Sequence, residues 1–146
     1  MTQFMKSFPE GFKANNHAEL LDWAVADELS WDWSDGTKGN GSKADIFGIF
    51  AKSWGFMVGQ MIPTGALVTI DPDNSKICIS CTVNLLIDGG LPEEKNLVSN
   101  NIIFLLTVNQ DMKITAWDGI WNNKFPAMLE ALGAVSAKLQ GSGDAK

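Results

Sequence analysis

The chain has no arginine and no tyrosine, one histidine, and two cysteines among its 146 residues. Each shortage narrows the chemistry. All of its basic side chains are lysines, 11 against 17 acids, for a net charge of -6. A nucleic-acid partner is not expected: no basic patch can neutralise phosphates, and no guanidinium can read guanine edges. Bidentate clamps on carboxylate or phosphate substrates are excluded for the same reason. Cys78 and Cys81 lie three apart in an alternating segment, hence on opposite faces of a strand, so neither a bridge between them nor a shared zinc is expected. With one histidine and scattered carboxylates, no metal and no cofactor are expected. No apolar run approaches the length of a membrane span, so no membrane partner is expected either. The first residues lack the apolar core of a secretion signal. The expected setting is a reducing cytoplasm.

What is present suits one globular domain. Apolar residues make up 45% of the chain and charged ones 19%, the balance of a folded protein rather than a disordered one. We divide the chain into an N-terminal extension (1–14), one domain (15–140) and a flexible tail (141–146). Asn15 or Asn16 caps a helix over HAELLDWAVADE, with Glu19 at capping-box spacing from Asn16. LSWDW then alternates as a short strand with Trp31 and Trp33 on one face. Residues 36–43, GTKGNGSK, read as a glycine-rich loop. They begin like a phosphate-binding motif, but the lysine and serine stand in the wrong order for one. Ser42 caps a second helix, KADIFGIFAKSW.

The remainder reads as sheet. Residues 56–70 carry a Pro-Thr-Gly interruption, suggesting a bend or two successive strands. From Ile77 to Ile87 the alternation is regular. Residues 98–108 are apolar on both faces, and MKITAWDGIW follows a polar turn. A short helix after Pro126 closes the chain. The order predicts an α+β fold with helices on one face of an antiparallel or mixed sheet. The doubly apolar strand predicts that the outer sheet face is covered by a second copy, with Ile103, Leu105 and Asp118 in a homodimer interface.

Three strings carry a family resemblance: VADELSWDWSDG, the helix KADIFGIFAKSW, and VNQDMKITAWDGIW. Together they resemble the NTF2-like superfamily, in particular its SnoaL-like and ketosteroid-isomerase-like branches, over residues 15–125. The resemblance implies a cone-shaped fold whose strongly curved sheet and helices enclose an apolar pocket. It also implies a catalytic set in the isomerase members. In that register the base position holds Trp33, the protonated-acid position holds Phe104, and no tyrosine is available. Only the aromatic at the pocket end of the last strand carries over, as Trp121. The steroid-isomerase mechanism is therefore not supported, and an arginine-free chain cannot supply the Asp-Arg-Asp set of epoxide-hydrolase relatives. Cyclases needing one acid–base aspartate remain open.

The inward face in this register includes Trp31, Trp33, Phe104, Thr115, Trp117 and Trp121. Such aromatics either fill a core or wall a pocket for a small apolar ligand. The candidate base is Asp35, which shares the inward parity of Trp33 if the strand continues. His17, on the face of Leu20, Leu21 and Ala24, is the candidate proton partner, titrating near working pH. Asn101 is the candidate amide donor to a carbonyl oxygen. Two functions follow. One is an isomerase, cyclase or dehydratase acting on an apolar cyclic carbonyl compound. The other is a non-catalytic ligand-binding or dimerisation domain.

Overall fold

Along residues 97–108, apolar on both faces in sequence, the strand buries every second side chain. Val98, Asn100, Ile102, Phe104, Leu106 and Val108 are buried, while the residues between them face outward. The computed structural model describes residues 1–14, 16–53, 60–86, 92, 97–121 and 126–143. Its elements in chain order are α1 (Thr2–Ala14), α2 (His17–Leu21), β1 (Val25–Trp33), β2 (Lys38–Ser42), α3 (Lys43–Ser53), β3 (Gln60–Asp71), β4 (Lys76–Leu86), β5 (Leu97–Val108), β6 (Ile114–Trp121) and α4 (Pro126–Gly143). The strands form one curved, open sheet in the order β2-β1-β6-β5-β4-β3. β1 lies parallel to β6; all other pairings among the described residues are antiparallel. This is the expected α+β class. No described helix is long and apolar enough to cross a membrane.

Three local expectations are corrected, and one left with two alternatives is resolved. The first helix stops at Leu21, because residues from Val25 onward gain more from the sheet: Ala24 accepts a hydrogen bond from Ile114 N at 2.8 Å, and Val25 pairs with Ile114. Part of the glycine-rich loop is the strand β2, antiparallel to β1 with Trp31 opposite Gly39. Glycine belongs there because the Trp31 indole lies over it; a Cβ on Gly39 would come within 2.8 Å of Cζ2. The Pro-Thr-Gly interruption does not divide β3; it marks a bulge between Thr64 and Leu67, with Gly65 at φ +62°. Finally, residues 1–14 form a helix of the core, since Phe4 and Phe8, one turn apart on α1, are both buried in it.

The caps match the sequence. Asn16 Oδ1 accepts from the Glu19 backbone N–H at 3.2 Å, and the Asn16 amide in turn reaches the Glu19 carboxylate. At α3, Ser42 N and Oγ both donate to Asp45 Oδ2 at 2.8 Å, while Asp45 N donates back to Ser42 Oγ. That is a capping box with aspartate in the acidic place.

Candidate functional site

The inner sheet face is aromatic, and its centre is Trp117, which is fully buried. Around it stand Phe4 and Phe8 from α1, Phe50 from α3 and Phe104 from β5, with ring centroids 5.4–5.5 Å away. Phe104 meets Phe8 edge-on at 5.3 Å. Trp33 stacks on Phe50 at 5.4 Å and touches Trp121 at 5.8 Å; its indole N–H donates to the Trp117 carbonyl at 3.1 Å. Gly119 allows this approach, because a Cβ there would crowd both Trp33 and Trp121. The structure thus brings Trp33, Phe104, Trp117 and Trp121 together, with Trp31 beside Trp117 on the neighbouring strand. Trp121 alone among them is only half-buried.

Much of this assembly is core packing. Between α1 and β4, beside Phe8, Cys81 and Phe104, the void is about 10 Å³, room for one water at most. Two polar atoms do not fit that picture. The indole N–H groups of Trp31 and Trp117 are buried with no acceptor among the described residues. A buried donor left unpaired costs on the order of 1–3 kcal/mol, so a partner for it is chemically favoured.

The candidate catalytic residues stand elsewhere. β1 ends at Trp33, and Asp35 sits exposed in the following turn, where its Oδ1 accepts from Thr37 N at 2.8 Å. The inward parity expected of Asp35 is lost with the end of the strand. His17 is buried beside Phe8 of α1 and Phe50 of α3, and it does not titrate near neutrality. Desolvation pushes its pKa from 6.5 down to about 4, against a weaker opposing effect of its hydrogen bond to the Phe8 carbonyl. The imidazole is neutral at working pH and lies 4.9 Å from the Phe50 ring.

Asn101 is likewise corrected. It faces outward and accepts from Thr82 Oγ1 at 2.9 Å; the buried amide is its neighbour Asn100. Strand parity alone identifies Asn100, since Ile102 and Phe104 share its face. Thr115 also misses the core, because register shifts beside Val108 and Val25 turn both Ile114 and Trp117 inward. The two cysteines do lie on opposite faces, Cys81 buried and Cys78 partly exposed, and both thiols are free. On the outer face Ile103 and Leu105 are 39% and 37% exposed, with Asp118 opposite Leu105 on β6.

A separate cleft of about 430 Å³ opens between α2 and α3. Its walls include His17, Asp22, Lys43, Phe47 and Gly48. The Lys43 ammonium bridges Asp22 at 2.6 Å and Asp27 at 3.1 Å. Sequence reasoning passed over this cleft, because small residues on a helix carry no signal until the facing helix is known.

No family model matches the chain, and no curated protein does. Solved structures do. An NTF2-like protein from Anabaena variabilis is similar at 14% identity and a TM-score of 0.65, over 83% of this chain and 85% of that one. A proposed isomerase from Bacillus subtilis is similar at 13% identity and a TM-score of 0.65, over 91% and 92% of the two chains. A proposed polyketide cyclase from Xanthomonas campestris follows at 16% identity and a TM-score of 0.60, over 92% and 95%. At such identities the likeness establishes the fold: this chain has the NTF2-like fold.

Proposed function

We propose that the protein is a small-molecule isomerase or cyclase whose aromatic inner face receives an uncharged, apolar, cyclic carbonyl compound. The observation behind this reading is the Trp117 indole N–H, buried in the aromatic cluster with no acceptor among the described residues and with a second such donor, on Trp31, on the adjacent strand. A carbonyl oxygen supplies the acceptor, and Trp33, Phe104 and Trp121 supply apolar wall. Charged substrates are disfavoured, because the buried polar side chains among the described residues are an amide, Asn100, and a neutral imidazole, His17. That isomerases and cyclases are named among the similar folds supports the reaction class.

A second reading, a binding domain without chemistry, is favoured by one observation: Asp35 stays in a solvated turn. Tryptophan fluorescence titrated with a panel of cyclic ketones tests binding. Saturable quenching, weakened about tenfold in Trp117→Phe by loss of one hydrogen bond, is the expected result. A panel that moves neither fluorescence nor melting removes the proposal. Proton exchange alpha to the bound carbonyl, followed in heavy water, separates catalyst from binder.

We also propose a homodimer through the outer sheet face. Leu67, Ile103 and Ile120 lie in one row across β3, β5 and β6, all exposed, and Leu105 and Asp118 form part of the next row.

A further inference from the structure

The two edges of the sheet are finished differently. At one stands β2, a short strand of sequence Lys-Gly-Asn-Gly-Ser with no apolar side chain. At the other stands β3, 12 residues long, which pairs among the described residues with β4 alone. The first half of β3 is guarded by Pro63, which has no N–H to offer, and by the bulge between Thr64 and Leu67. From Leu67 to Asp71 there is no proline, no lysine and no bulge.

Apolar side chains are nevertheless exposed on both faces of that second half. Leu67, 72% exposed, lies on the outer face opposite Ser80 of β4. Val68 and Ile70, 39% and 59% exposed, share the inner face with Ile79 and Ile77, which are buried. The cover over β4 therefore does not reach β3, and the backbone groups on the free edge have no partner strand among the described residues. An exposed apolar edge of this kind is a template for another strand.

The strand that fits must offer backbone groups at strand spacing, apolar or β-branched side chains, and no charge. β3 meets those terms itself. Residues 60–70 carry no charge, in a chain whose net charge is -6, so two copies can meet here without like charges opposed. In an antiparallel pair centred on Thr69, Val68 falls opposite Ile70 of the second copy, both β-branched and both on the inner face. Each Asp71 falls opposite Leu67, away from the other Asp71. The bulge then ends the ladder.

We infer that the free edge of β3 pairs with β3 of a second copy about a two-fold axis at Thr69, joining two sheets into one. The contact depends neither on a ligand at the inner face nor on the dimer proposed through the outer face. A short ladder buries little surface, so the association is weak and concentration-dependent.

A Leu105→Glu background removes the outer-face dimer and isolates the edge. At near-millimolar concentration, sedimentation of that variant should show a dimer. Adding Val68→Lys and Ile70→Lys sets lysines against each other across the axis and should weaken the dimer at least tenfold. Both positions are exposed, so the circular-dichroism melt should be retained. Cysteine variants read the register, and they decide even where the lysine variant fails to fold. Cys78→Ser is included with them, because Cys78 lies opposite Thr69 on β4. Thr69→Cys should then give a disulfide-linked dimer on mild oxidation, since it meets its own copy within bridging distance. Thr64→Cys, well off the axis, should not. A Leu105→Glu variant that stays monomeric at near-millimolar concentration overturns the pairing. So does a dimer indifferent to the lysines, an assembly larger than a dimer, or Thr64→Cys linking as readily as Thr69→Cys.

Discussion

Gly11 of α1 has no side chain because the His17 imidazole occupies the place its Cβ would take. The two residues fasten α1 to α2, reinforced by the hydrogen bond between His17 Nε2 and the Phe8 carbonyl at 3.2 Å. Gly11→Ala should therefore destabilise the fold by roughly 1–3 kcal/mol, the usual cost of overpacking, although alanine favours the helix. A denaturant midpoint equal to or above that of the parent chain contradicts this fit.

Burial of His17 also makes stability depend on pH. Its folded pKa, about 4, lies below the unfolded value of 6.5, so the unfolded chain binds the proton more readily. Stability is then complete above about pH 6.5 and falls as the pH drops toward 4. Between about pH 7.5 and 5.5 the loss should be roughly 1 kcal/mol, a few degrees in melting temperature. His17→Leu should flatten that window. The carboxylates with lowered pKa values, Asp22, Asp45 and Asp71, act only below it. An unchanged slope in His17→Leu would assign the effect to another group.

Trp33 is a strut as well as a wall, stacked on Phe50 and bonded to the Trp117 carbonyl. Trp33→Ala should cost roughly 3–5 kcal/mol. Trp33→Phe, which keeps the stack and loses the donor, should cost about 1–2 kcal/mol. Equal losses in the two variants, read from chemical denaturation, would show that the hydrogen bond outweighs the stack.

Leu105 is partly exposed on the outer sheet face, so Leu105→Glu should leave the protomer folded. In the proposed dimer it strands a charge in the interface, costing several kcal/mol. Sedimentation at micromolar concentration should show a dimer for the parent and a monomer for the variant. A folded parent monomer at that concentration rules the dimer out.

Strands and caps were the legible part of the sequence. The alternation from Ile77 to Val83 is the signature of a sheet with one buried face, whereas residues 98–108, apolar on both faces in sequence, bury only every second side chain; Ser42 marks the start of α3 in both sequence and structure. β2 was not legible, because Lys-Gly-Asn-Gly-Ser has the composition of a loop and becomes a strand only through pairing with Trp31. α1 carried a signal in Phe4 and Phe8, one turn apart, which Pro9 obscured. The site was less legible than the fold. Parity could have chosen Asn100 over Asn101. The neutrality of His17 could not be read, since it depends on burial against Phe8 and Phe50, residues brought to it by folding.

The parallel pairing of β1 with β6 has a consequence for synthesis on the ribosome. Trp33 and Trp117, joined by a hydrogen bond in the finished protein, are 84 residues apart in the chain. At about 5–20 residues per second, roughly 4–17 seconds pass between translation of the first and of the second. Throughout that interval Phe4, Phe8 and the β1–β2 hairpin have no central strand to close upon. The β1–β2 hairpin therefore keeps its β6-facing edge unpaired until the last strand of the sheet is made.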